Sequence, residues 1–175
     1  MKTIYLSLGS NLGDRAQNIA RAIEALGAHG VRVTRESSLY ETEPLDVRGG
    51  WFLNCAVEAE TDLMPRQLIR ALVAIERSLG RKRILPADCQ GLRESRVIDM
   101  DILLFGESVV QTADLEIPHP RMAERRFVLV PLAEIAPGVR HPVLQQTIGE
   151  LLAHAADRSQ VRRIPRAGAD ASFSE

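Results

Sequence analysis

The order of periodic segments predicts an α+β chain: a ferredoxin-like β-α-β-β-α-β core with C-terminal additions, packed as a two-layer sandwich. Three observations predict it. Two stretches repeat apolar residues at helical spacing, four short runs are β-branched or alternating, and turn residues stand between them. Over the first hundred or so residues the order is strand, helix, strand, strand, helix, strand. Two helices would cover one sheet face, leaving the other for the C-terminal third to cover or extend.

Thr3 to Leu8 reads as the first strand, stopped by the turn cluster Gly9-Ser10-Asn11. Ala16, Ile19, Ala20, Ile23 and Leu26 recur at helical spacing, with Asp14 as N-cap and Gly27 or Gly30 as the stop. Val31 to Thr42 alternates and reads as one strand, Pro44 and Gly49-Gly50 mark a loop, and Phe52 to Glu60 is the next strand. Leu63 to Leu79 is a helix with Pro65 in its first turn and Gly80 at its end. A basic stretch, Arg81 to Arg96, leads into the strand Val97 to Phe105. Val109-Val110, a proline-rich turn at Ile117 to Pro120, a partly helical Arg125 to Ile135 and a helix at Thr147 to Ala156 follow. Periodicity fades from Ser159, so residues 1–158 are expected as a single domain and 159–175 as a flexible tail.

A chain of 175 residues, 45% hydrophobic, can bury one sizeable core. Lys and Arg number 22 against 23 Asp and Glu, a net charge of −1 that argues against nucleic acid or a membrane surface as partner. Polar residues from Ser7 to Asp14 break the N-terminal apolar run, which is not a secretory signal. The two cysteines, Cys55 and Cys89, form no CxxC and no disulfide framework. A reducing, cytoplasmic setting and a monomer are expected.

The strongest chemical feature is Val97-Ile98-Asp99-Met100-Asp101-Ile102. Alternate strand residues share a face, so Asp99 and Asp101 point the same way and repel each other. A bare Asp-x-Asp is equally the mark of a solvated strand start. Opening an otherwise apolar strand, the pair favours a hard cation such as Mg²⁺ completed by phosphate oxygens. Arg81, Lys82, Arg83, Arg93 and Arg96 just before it suit a triphosphate, or form an ordinary solvated loop. Its length without periodicity is that of a functional lid or of disorder. His119, between two prolines and close to Arg121, Arg125 and Arg126, is a structural histidine or a phosphate donor. Phe52 and Asn54 share a strand face and could stack on and bond a flat heterocycle; without context they read as a partly exposed face. Gly9 to Asp14 lacks the Walker A lysine and the GxGxxG spacing, and reads as a tight turn with a helix cap.

Five segments together resemble the 6-hydroxymethyl-7,8-dihydropterin pyrophosphokinase family of folate biosynthesis. They are Leu8 to Asp14, Ser38 to Pro44, Phe52-Leu53-Asn54, Arg96 to Leu103 and Ile117 to Met122, and the likeness spans roughly residues 3 to 155. The resemblance implies transfer of pyrophosphate from ATP to the pterin hydroxymethyl oxygen, with release of AMP. It implies that Asp99 and Asp101 hold two Mg²⁺ ions, and that Phe52 and Phe127 sandwich the pterin while Asn54 and the backbone at Thr42 and Leu45 bond its edge. It makes Arg81 and Arg83 part of a catalytic loop, with Arg96, His119 and Arg125 on the phosphates and Glu76 near the nucleotide. The chain departs from the family where Arg93-Glu94-Ser95 stands for the common Trp or Asn and Pro, and where Phe52 replaces the commoner Tyr. No side chain stands out as a general base. A γ-phosphate kinase of another heterocycle and a non-catalytic ferredoxin-like binding module are the alternatives.

Overall fold

The computed structural model describes residues 1–44, 50–80 and 95–165. Strand β1 (Lys2–Ser10) is followed by helix α1 (Arg15–Ala28), strands β2 (Val31–Glu36), β3 (Tyr40–Thr42) and β4 (Phe52–Thr61), and helix α2 (Pro65–Ser78). Strand β5 (Asp99–Phe105), the small pair β6 (Val110–Gln111) and β7 (Glu116–Ile117), helices α3 (Arg126–Ile135) and α4 (Ile148–His154), and strand β8 (Val161–Arg163) complete it. The main sheet runs β5-β1-β4-β3-β8, with β2 also on β4, and every pairing is antiparallel.

Local chemistry sets the helix starts. The Asp14 carboxylate accepts from the Gln17 amide at 3.0 Å, and the Gln67 side chain accepts from Met64 N at 2.8 Å one residue before Pro65; each satisfies a donor that the first turn leaves open. Thr147 and Glu150 form a reciprocal capping box at α4.

The sheet's two faces are built differently. Ile4, Leu6 and Leu8 of β1, with Leu53, Cys55 and Val57 of β4, pack on Ile19 and Leu26 of α1 and on Leu68, Leu72 and Ile75 of α2. This is the sandwich the sequence predicts. On the other face Tyr5, Ala56, Leu103 and Leu104 pack against Val128, Leu129 and Leu132 of α3 and Ile148 and Leu151 of α4. The C-terminal additions thus cover part of the second face, and their cover stops short of the sheet end that carries Gly9, Asn54 and Asp99.

Two expectations need correction. Val31 to Thr42 is two strands, because Ser37 takes over the pairing: its amide donates to Ala56 O and its hydroxyl accepts from Ala56 N, both at 2.9 Å. The tail does not begin at Ser159, since Val161–Arg163 pairs with Tyr40–Thr42 as an edge strand. Edge pairing of so few residues needs no apolar alternation, which is why periodicity missed it.

Candidate active site

Alternation along β5 sends Met100 and Ile102 into the α1/α2 core and Asp99 and Asp101 to the opposite face. Register then fixes their neighbours: Asp99 lies opposite Gly9, which lies opposite Asn54, while Asp101 lies opposite Ser7. This end of the face forms the floor of a cleft of about 250 Å³. Thr42, Phe52 and Asn54 form one flank and Arg96, Asp99 and Asp101 another, and Arg121, Arg125, Phe127 and Asp157 also line it.

At the acid end Arg96 Nη1 donates to Asp99 Oδ2 at 2.6 Å. Arg96 is itself pinned through its backbone. Its amide donates to Asn11 Oδ1 at 2.6 Å, and its carbonyl accepts from Asn11 N at 3.1 Å. The Gly9 to Asp14 turn therefore does more than cap a helix: it holds the arginine beside the acids. Burial, then the charges of Asp99 and Glu76, raises the Asp101 pKa to about 6, against the pull of Arg125 and Arg96. Acids that oppose each other's ionisation suit a cation. Among the described residues no three His, Cys, Asp or Glu side chains gather to hold an ion alone. Two carboxylates with phosphate and water oxygens are the donor set Mg²⁺ prefers, so the residues fit that ion.

His119 is tied to β5 by its amide, which donates to Leu103 O at 3.0 Å. Its Nδ1 accepts from Arg121 N at 3.2 Å. In the neutral ring that leaves the proton on Nε2, which lies 4.0 Å from Asp101 Oδ2. His119 therefore presents a donor at the acid end.

The other end is flat and amidic. Asn54 Nδ2 donates to Thr42 Oγ1 at 2.6 Å, and a Cβ on Gly9 would come within 2.5 Å of Asn54 Oδ1. A glycine at 9 is what lets that amide lie against the sheet floor. Phe127 also lines the cleft, with the Arg125 guanidinium 5.6 Å from its ring centre.

Of the candidate site residues, the structure brings Thr42, Phe52, Asn54, Arg96, Asp99, Asp101, Arg125 and Phe127 to the lining of one cleft. Leu45, Arg81 and Arg83 lie outside the described residues. Glu76 is not in the cleft lining: it is buried under β5, where its carboxylate accepts from Met100 N at 2.7 Å and braces the strand between the two aspartates. Sequence analysis missed Ser7, Glu43 and Asp157 in the lining and Asn11 behind Arg96. Ser7 was legible from alternation along β1, two residues before Gly9; Asp157 had no local signal.

The family model for 7,8-dihydro-6-hydroxymethylpterin-pyrophosphokinase matches residues 5–137. The chain belongs to that family. It is 42% identical over 166 residues to the 2-amino-4-hydroxy-6-hydroxymethyldihydropteridine pyrophosphokinase of Methylorubrum extorquens, covering 94% of this chain and 99% of that one. It is 37% identical over 157 residues to the folic acid synthesis protein fol1 of Pneumocystis carinii. That alignment takes in 89% of this chain but 20% of the relative, so this chain spans about a fifth of that protein's length. Its fold is similar to the crystal structure of Plasmodium falciparum HPPK-DHPS with pteroate, at a TM-score of 0.70 and 15% identity over 87% of this chain and 44% of that one. Among the described residues no helix is long and apolar enough to cross a membrane.

Proposed function

We propose that this pocket transfers pyrophosphate from ATP to the hydroxymethyl group of 6-hydroxymethyl-7,8-dihydropterin, giving the pterin diphosphate and AMP. What carries the reading is one cleft with two unlike ends: the Asp99/Asp101 pair with Arg96, His119 and Arg125 at one, and Phe52, Asn54 and Phe127 at the other. One end suits a polyphosphate and the other a flat, amide-edged ring.

In this reading the hydroxymethyl oxygen forms a bond to the β-phosphorus while the bond from that phosphorus to the α-phosphate oxygen breaks. AMP leaves with the oxygen, and the hydroxyl proton passes to solvent. Such a transfer is governed by positioning and charge neutralisation rather than by covalent help from the protein. Asp99 and Asp101 would hold two Mg²⁺ ions, which when bound neutralise phosphate oxygens and orient the chain of phosphates. His119 Nε2, Arg96 and Arg125 donate to the phosphates. Phe52 and Phe127 stack on the two faces of the pterin, and Asn54 with the backbone at Thr42 bonds its edge. Family resemblance adds Leu45 to the pterin edge, Arg81 and Arg83 to the phosphates, and a nucleotide role for Glu76 that its bond to Met100 serves through β5. Both ends of the cleft come from one chain, so the proposal needs no second copy. Cys55 is a free thiol, and with a nucleotide as co-substrate it fits a cytoplasmic location.

One mass spectrum of the products of protein, ATP, Mg²⁺ and the dihydropterin alcohol tests the reaction. AMP with a pterin diphosphate is the expected result. ADP with a pterin monophosphate would instead mean a γ-phosphate kinase, and unchanged substrates a binding module.

A further inference from the structure

The segment from Asp157 to Arg163 lies beyond the stretch that the family model matches, and it touches both flanks of the cleft. On one side is α3, whose N-cap residue, Arg125, offers no side-chain cap. Asp157 supplies it from 31 residues away: Oδ2 accepts from Arg126 N at 2.8 Å, while Oδ1 accepts from Ser159 N at 2.8 Å. Phe127 is the next residue of that helix. On the other side Gln160 N donates to Glu43 Oε1 at 2.8 Å, and Val161 pairs with Thr42, opposite Phe52 across β3 and β4. Ile164 N closes the run by donating to Leu39 O at 2.8 Å. A single carboxylate thus joins the helix that presents one aromatic ring to the strand that flanks the other.

We propose that Asp157 is a positioning residue for pterin binding: by joining the start of α3 to the segment zipped onto β3, it sets the spacing between Phe127 and Phe52. The inference rests on the pterin sandwich proposed above. Two hydrogen bonds on two different oxygens make the charge and the shape of the side chain matter separately. An asparagine offers one acceptor oxygen and turns an amide toward the other N–H, so it keeps half of the link. An alanine keeps none. A slot held at the wrong width costs stacking on the ring and leaves the acid end unchanged.

The test is calorimetry on the full chain with 6-hydroxymethyl-7,8-dihydropterin, in the presence of Mg²⁺ and a non-hydrolysable ATP analogue. Asp157→Ala is expected to weaken pterin affinity about tenfold, the scale of a lost helix cap, with Asp157→Asn between it and the native protein. Affinity for the analogue should stay within about twofold, because nothing in the link reaches the acids. Phe127→Ala should weaken pterin binding, and adding Asp157→Ala to it should cost nothing further, since both act through one ring. If Phe127→Ala weakens binding while Asp157→Ala binds pterin normally, or if the two losses simply add, the positioning role is overturned and the sandwich stands. If Phe127→Ala binds pterin normally, the sandwich reading fails and this inference with it. A lowered unfolding midpoint with native pterin affinity would mark Asp157 as structural alone and also overturns the proposal. Should the variants not fold, hydrogen exchange on the native protein decides: pterin should slow exchange at the Arg126 and Ser159 amides, and unchanged exchange there contradicts the role.

Discussion

The two faces of the central sheet are made by the same strands and are chemically opposite. On the α1/α2 side Leu8, Cys55 and Met100 are sealed against helices, and burial pushes the Cys55 thiol up to about 12, so it behaves as a small apolar group. One residue along each strand, Gly9, Asn54 and Asp99 or Asp101 face the cleft. Strand alternation thus lets one stretch of chain hold the fold together on one side and gather acids and an amide on the other. Stability and chemistry should then be separable by mutating neighbours.

The widest separation is expected at β5 and its backing helix. Asp101→Ala should lower turnover about a thousandfold, the scale of losing a metal's charge stabilisation, while the unfolding midpoint stays native or rises as the repulsion from Asp99 and Glu76 is relieved. Leu72→Ala, fully buried on the closed face, should do the reverse, costing about 2–5 kcal/mol of stability with near-native turnover below its melting range. Steady-state rates and thermal unfolding on both variants check the pair; equal losses of activity would erase the contrast.

A smaller effect is expected at Gly9, on the open face yet in the backbone of β1. Gly9→Ala should displace the Asn54 amide that its Cβ would crowd, weakening pterin about tenfold, the price of one buried hydrogen bond to the ring, and the nucleotide less. Calorimetry with each ligand separates the two.

The smallest concerns the covered part of the same face. Burial alone would raise the Glu134 pKa, but donation from Tyr40, from the Ser38 hydroxyl and amide, and the nearby Arg163 charge hold it below the usual carboxylate range. A depressed carboxylate stabilises the fold above its ordinary pKa and stops doing so as pH falls through the depressed value. Melting curves should therefore show part of the acid-side loss of stability vanish in Glu134→Gln, with turnover at neutral pH unchanged.

The sequence made the closed face and half of the open one legible. Helical spacing in α1 and α2 marks the residues that meet the sheet, and alternation at Asp99 and Asp101 places both acids on one face before any contact is known. What stayed hidden depends on pairs far apart in the chain. Asn11 holds Arg96 from 85 residues away, Asp157 caps a helix it does not belong to, and the Val-Arg-Arg of β8 has no alternation to announce a strand. The family resemblance put Glu76 near the nucleotide, and only the packing of α2 on β5 shows that its carboxylate accepts from Met100 N. The family resemblance supplied the substrate, which no spacing rule could.

The central claim is that the acids of the open face hold divalent metal for the nucleotide. Titrating a non-hydrolysable ATP analogue into the native protein and into Asp101→Asn, each with and without Mg²⁺, tests it most directly. Saturable binding that requires both the metal and the native aspartate is the predicted result, and binding of equal strength in Asp101→Asn or without Mg²⁺ would contradict it.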